Sequence, residues 1–192
     1  MLSHMKTLPY TTLITGVCVA FLASCAHQPV PNKMPVSASM KSDSSVTGRL
    51  FDEVNGYRTS QGKQAVQRHP GLDKLAQQHS EYLRAHRGTF SLSGKNVSHI
   101  GFEGRTLYAR ERYNMANFSE NVAAATHAGS NGPKRLLELW QGSKDHNKNM
   151  LDDWTYSGIG VAVDEDGTVF ATQLFGNPGM QQMSMRNRFN QF

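Results

Sequence analysis

The sequence predicts an α+β domain. Three observations carry that expectation. Amphipathic helical runs fill the first half of the central region, a β-hairpin signature closes it, and no strand–helix–strand alternation lies between them.

The first helical run begins near Gly48. Leu50, Val54, Tyr57 and Arg58 fall at helical spacing, and Gly62 stops the run. In HPGLDKLAQQHSEYLRAHR, the residues Leu72, Leu75, Ala76, His79, Leu83 and His86 share one stripe. Pro70 opens this second helix, which closes near Gly88. Gly88 to Gly104 is rich in Gly and Ser and reads as a long loop. TLYARERY predicts one or two helical turns. NGPKRLLELWQG starts a helix at Asn131 and Pro133 and ends it at Gly142. SKDHNKNML predicts a short helix with Ser143 as its N-cap. In YSGIGVAVDEDGTVFATQLFG, Ile159, Val161 and Val163 alternate, Asp166-Gly167 turns, and Val169 to Phe175 returns. That is a hairpin. There is no internal repeat.

The flanks have another character. Residues 1–24 read as a secretory signal: one Lys, then an apolar stretch from Leu8 to Ala23 that is short and interrupted by Pro9 and three threonines. It ends in LASC, Leu22 to Cys25, which resembles a bacterial lipoprotein box. The expectation is cleavage before Cys25 and lipidation of its thiol, which anchors the chain to the membrane. Ala26, rather than Asp, then favours the bacterial outer membrane, on its periplasmic or surface face. Residues 25–47 read as the lipidated Cys and a disordered tether, because Ala26 to Val46 carries three Pro and five Ser and no aromatic. The folded domain is expected over 48–176, with 177–192 as a polar tail. Cys18 leaves with the signal and Cys25 is acylated, so no disulfide is expected. The net charge of +5 is scattered rather than gathered in a basic stripe with aromatics, so the reading excludes nucleic acid as a partner.

Chemistry-bearing residues are few. His27 lies in the tether, His69 precedes a helix, His79 and His86 sit on an apolar stripe, and His127 stands in a Gly-containing loop. His99, in NVSHIGFEG, and His146, in SKDHNKNML, lie in polar segments outside the strong periodic runs, where functional residues concentrate. Glu120, in FSENVAAA, places a carboxylate inside a run of small and apolar residues. It can cap a turn, point to solvent, or face a cleft. Spacing alone does not define a metal site: there is no HExxH and no Cys pair. There is also no GxSxG elbow, no P-loop and no thiol left for nucleophilic catalysis. Ser143 reads as a helix cap rather than a nucleophile.

Several blocks occur together in a fixed order: VNGYR, LAQQHSEYLRAHR, SHIGFEG, SENVAAA, WQGSKDHNKNMLDDWTYSGIGVAV and FATQLFG. Together they resemble the CAP superfamily in its bacterial, SCP-like form, which is related to cysteine-rich secretory proteins, venom antigens and pathogenesis-related proteins. The most specific block is Trp140-x-x-Ser143-x-x-His146-x-x-Asn149-Met150-Leu151 followed by Gly158-x-Gly160. The resemblance implies an α-β-α sandwich, with a small antiparallel sheet between helical layers, and a central cleft. It implies that His99, Glu120 and His146 line that cleft, with Ser143 where many relatives carry a second Glu. It also implies a divalent-cation site, for Zn²⁺ or another metal, with His99, Glu120 and His146 as ligands. Ser119 replaces the Gly that usually precedes this Glu, and the disulfides and Cys-rich extensions of many relatives are absent.

Three functions follow. The favoured one is a membrane-tethered binding module for a small lipid, peptidoglycan or peptide ligand. The second is a metal-assisted hydrolase, disfavoured because no general base remains once all three groups bind metal. The third is a structural or adhesive envelope protein.

Overall fold

The computed structural model describes residues 44–90 and 98–179. The chain divides into two units, Met1–Ala38 and Ser39–Phe192, and the first lies wholly outside the described residues. So do the signal, Cys25, most of the tether and most of the polar tail. No helix among the described residues is long and apolar enough to cross a membrane.

The elements run α1 (Ser44–Ser60), β1 (Gln67–Arg68), α2 (Pro70–Ala85), α3 (Phe102–Tyr113), β2 (Met115–Ala125), a 3₁₀ turn (Gly129–Asn131), α4 (Gly132–Gly142), α5 (Lys144–Leu151), β3 (Tyr156–Val163) and β4 (Val169–Pro178). One sheet has the order β1-β3-β4-β2. The β3–β4 hairpin is as expected, and β2 adds antiparallel to β4 from Ala125↔Val169 to Met115↔Pro178. The sheet is mixed rather than wholly antiparallel, because β1 pairs parallel to β3.

Alternation along the strands builds two cores. Ile159, Val161, Val169, Ala171, Phe175, Ala123 and Ala125 face one way and pack with Val46, Leu50 and Val54 of α1, Leu136 and Trp140 of α4, and Met150 of α5. On the other face, Leu174 packs with Leu72, Leu75 and Ala76 of α2 and Ala109 of α3, while Val122, Ala124 and Phe170 pack with Leu83. Both faces are covered by helices, so the architecture is the α-β-α sandwich.

Several expectations shift at the boundaries. Helix α1 starts at Ser44, not Gly48, and Val46 is buried, so the last residues assigned to the tether belong to the fold. Strand β4 continues to Pro178. Asn177, assigned to the tail, accepts from the Thr155 amide (2.8 Å) and donates to the Asp153 carbonyl (2.8 Å). Helix α3 has 12 residues, three turns rather than one or two. Its only buried residue is Ala109, so it carries almost no apolar stripe to read. Helix α2 ends at Ala85, which leaves His86 exposed on the turn beyond it. His69 is the N-cap of α2 and its ring accepts from the Leu72 amide at 3.3 Å.

Helix α2 also closes the sheet's β3 edge. β1 pairs with that edge at Tyr156 and Ser157. Beyond it, Asp73 Oδ1 accepts from the Ile159 amide (2.9 Å). The Gln77 amide group both accepts from Val161 N–H and donates to Val161 C=O, each at 2.9 Å. Side chains at i and i+4 of a helix thus take the place of a neighbouring strand and block an aggregation-prone edge. The approach requires glycine. A Cβ on Gly160 would lie 2.1 Å from the Gln77 nitrogen, and one on Gly158 would lie 2.3 Å from the Asp73 nitrogen.

Candidate functional site

Glu120, His99 and His146 meet at the other edge of the sheet, along β2. Glu120 pairs across the ladder with Leu174, so its side chain lies on the α2/α3 face, while its neighbour Asn121 faces α5. Its carboxylate is buried, with the whole residue 4% exposed. A buried carboxylate needs charged or hydrogen-bonded partners, and two side chains supply them. Arg105, the fourth residue of α3, forks it: Nε donates to Oε2 at 2.7 Å and Nη2 donates to Oε1 at 2.9 Å. The His99 ring adds a third bond, with Nδ1 2.9 Å from Oε1. Because the carboxylate only accepts, His99 Nδ1 is the donor, and Nε2 of the neutral ring carries the lone pair. Of the three early possibilities for Glu120, the turn cap and the solvent-facing position are ruled out.

His99 sits in a short stretch clamped on both sides. The Ser98 carbonyl accepts from His79 Nε2 (2.9 Å) and the Ile100 carbonyl accepts from Arg105 Nη1 (2.9 Å). His79, on the apolar stripe of α2, is buried and has its pKa pushed down to about 4. Burial is the main cause, reinforced by the positive charge of Arg105 and opposed by Glu120. It is therefore neutral at physiological pH and holds its proton on Nε2. Gly101 follows in the left-handed conformation, with φ of 76°, and starts α3.

His146 comes from the other side of the edge. Ser143 caps α5, its side chain accepting from the His146 amide at 3.5 Å, so Ser143 acts on the site through the helix it starts. Asn149 Nδ2 reaches the outward-facing Glu120 carbonyl (3.3 Å) and Asn121 Oδ1 (3.0 Å), while Asn121 Nδ2 donates to the His146 carbonyl (3.1 Å). These bonds fix α5 against β2 and set the His146 ring 6.4 Å, centroid to centroid, from that of His99, with the planes at 56°. The His146 pKa is lowered, first by burial and then by His99, with Asp145 opposing. Among the described residues, no hydroxyl or thiol is bonded to either imidazole.

Three of the four expected site residues, His99, Glu120 and His146, converge, and Ser143 supports one of them. Sequence reading missed Arg105, His79 and Asn149. The divalent cation implied by the resemblance does not fit this donor set. Both Glu120 oxygens are engaged by a guanidinium, and no three His, Cys, Asp or Glu side chains among the described residues are grouped to hold a metal.

The sequence profile of the CAP family, the Cysteine-rich secretory protein family, matches residues 51–175. The chain belongs to that family. None of the curated proteins matches it. Among solved structures it is similar to an outer surface protein from Borrelia burgdorferi (16% identity, TM-score 0.55, covering 70% of this chain and 93% of that one). It is also similar to an extracellular SCP-domain protein from Bacillus anthracis (23% identity, TM-score 0.53, covering 73% of this chain and 45% of that one). A third is a cysteine-rich secretory protein from Staphylococcus aureus (18% identity, TM-score 0.50, covering 76% and 41%). The chain thus spans less than half of the last two. At these identities the likeness establishes the fold.

Proposed function

We propose that this CAP-domain protein is exported, tethered to the bacterial outer membrane through a lipidated Cys25, and acts as a binding module for a small lipid, peptidoglycan or peptide ligand. The LASC sequence supports the anchor, and the similar structures from outer surface and extracellular proteins support export. One observation carries the binding reading. Two imidazoles at the β2 edge are held in place by a buried ion pair and by Asn149, and neither is bonded to a nucleophile among the described residues. His99 is 43% exposed at its side chain while the Glu120 behind it is 1% exposed, so the arrangement presents a fixed ring to solvent from a dry support. Such a pair can accept and donate hydrogen bonds to a polar ligand group without breaking a bond in it.

The test follows the imidazole proton resonances of His99 and His146 while lysophosphatidylglycerol, and separately a disaccharide-tetrapeptide, is titrated in. A saturable shift at both rings with one probe, lost in His146→Ala, is the expected result. Unmoved rings with both probes would refute the reading. A purely structural role has one observation in its favour: both oxygens of the buried Glu120 carboxylate are bonded by His99 and Arg105, joining β2, α3 and the 98–101 loop. Under that alternative, Glu120→Gln loses stability and no probe shifts either ring.

A further inference from the structure

Arg105 uses its nitrogens in three directions at once. Nε and Nη2 take the two oxygens of Glu120, and Nη1 takes the Ile100 carbonyl. The side chain is 12% exposed and the carboxylate it grips is 1% exposed. His99 stands between the two pinned carbonyls, Ser98 and Ile100, and donates to the same carboxylate. One guanidinium therefore sets the carboxylate, the loop and the ring orientation together.

From this geometry we infer that Arg105 is a built-in cation. It occupies Glu120 in the way a divalent ion would, closes the His99–Glu120–His146 set to metals, and acts as a positioning residue for His99. The physical reason is charge and geometry. A metal ion entering at Glu120 would either sit beside the guanidinium and be repelled, or displace it and leave a buried cation without its partner. Lysine cannot replace it, because a point charge has no planar fork to hold both oxygens and the Ile100 carbonyl together. The consequence is a site whose imidazoles are oriented by protein groups alone, with Nδ1 of His99 committed to Glu120 and Nε2 left for another partner. The inference is independent of the ligand proposed above. It fails or stands on metal affinity and ring tautomer, whereas that reading fails or stands on organic probes.

The experiment titrates Zn²⁺ into the full chain in detergent micelles by calorimetry, using wild type, Glu120→Gln, Arg105→Met and the Arg105→Met/Glu120→Gln double variant. Wild type is expected to show no Zn²⁺ binding that depends on Glu120. Arg105→Met frees the carboxylate and removes a neighbouring positive charge, so it gains affinity on the order of 100-fold. The double variant loses that gain. Wild-type binding that Glu120→Gln abolishes, or an Arg105→Met protein that binds no more tightly than wild type, overturns the inference. If Arg105→Met does not fold without metal, the comparison of wild type with Glu120→Gln still decides it, and refolding in added Zn²⁺ is the gain expected of a site opened by the substitution. The positioning role has its own readout. Nitrogen chemical shifts of His99 report the Nδ1–H tautomer in wild type and a mixture in Arg105→Lys, and an unchanged tautomer overturns that role.

Discussion

Gly160→Ala is the sharpest test of how this fold is assembled. The added methyl would meet the Gln77 nitrogen at 2.1 Å, the Ala76 carbonyl carbon at 2.2 Å and the Gln77 Cα at 2.3 Å. All three are backbone atoms of α2, so no rotamer change relieves the clash. Ordinary carbon contacts lie near 3.5–4 Å, and the helix or the strand must retreat by roughly 1 Å or more. That retreat strains four hydrogen bonds between α2 and β3: Asp73 to Ile159, the two between Gln77 and Val161, and Ser80 to Gly160. At about 1 kcal/mol net for each bond, with overpacking as the costly alternative, the expected loss is about 3–5 kcal/mol. Urea unfolding followed by circular dichroism measures it. With a slope of about 1–3 kcal/mol per molar urea, the midpoint falls by about 1 M or more. The control is Gly56→Ala, on the exposed side of α1, where an added Cβ meets nothing within 4 Å. That substitution is expected to stabilise by about 1 kcal/mol, through helix propensity and a less flexible unfolded chain. A Gly160→Ala protein as stable as wild type would refute the direct packing of α2 on β3, and with it the reason for Gly158-x-Gly160.

Other outcomes follow from the same contacts. His79 has a folded pKa of about 4, below that of the unfolded chain, so the unfolded state takes up the proton first; stability is full above the ordinary His range and falls as pH drops towards 4. The slope reaches about 1.4 kcal/mol per pH unit, and His79→Gln should flatten part of it in unfolding curves taken across that range, with a residual slope left by His146 and His69, which are shifted the same way. Arg58 is buried and donates to the Met150, Asp152 (2.9 Å) and Gln64 (3.0 Å) carbonyls, so Arg58→Met should cost about 3 kcal/mol or more in urea unfolding by leaving buried acceptors unpaired. Asn149→Ala releases the Glu120 carbonyl and Asn121, with an expected loss of about 1–3 kcal/mol and a displaced His146 resonance in the folded protein.

What the sequence disclosed depends on how local the signal is. The hairpin was legible because Asp166-Gly167 fixes the turn and Gly167 adopts φ of 77° there. The α2 stripe was legible because five of its six residues are buried in sequence order, and His86 failed only because the helix had already ended. Strand β2 was not identified, since both of its faces are covered from Glu120 onward and ANFSENVAAA shows neither alternation nor β-branched enrichment. Strand β1 has two residues, below any pattern's reach. The Gly-x-Gly motif was visible, but its cause, the backbone of a helix some 80 positions earlier, was not.

The site shows the same division more sharply. Glu120 announced itself as a charge in an apolar run, and the resemblance placed His99 and His146 beside it. What those three groups can do is decided by Arg105, in a helix so weakly amphipathic that it read as one or two stray turns. A buried carboxylate is a demand for a partner, and sequence shows the demand without showing which residue meets it. Had the partner been a metal, the imidazoles would be ligands, and a water on that metal would be the obvious nucleophile. With a guanidinium in that place, His99 presents its ring to solvent from a neutralised support, and the half-buried His146 ring stands 6.4 Å from it. On the inference drawn above, the choice between hydrolase and binding module turns on a residue outside every block of the resemblance, the one immediately after SHIGFEG.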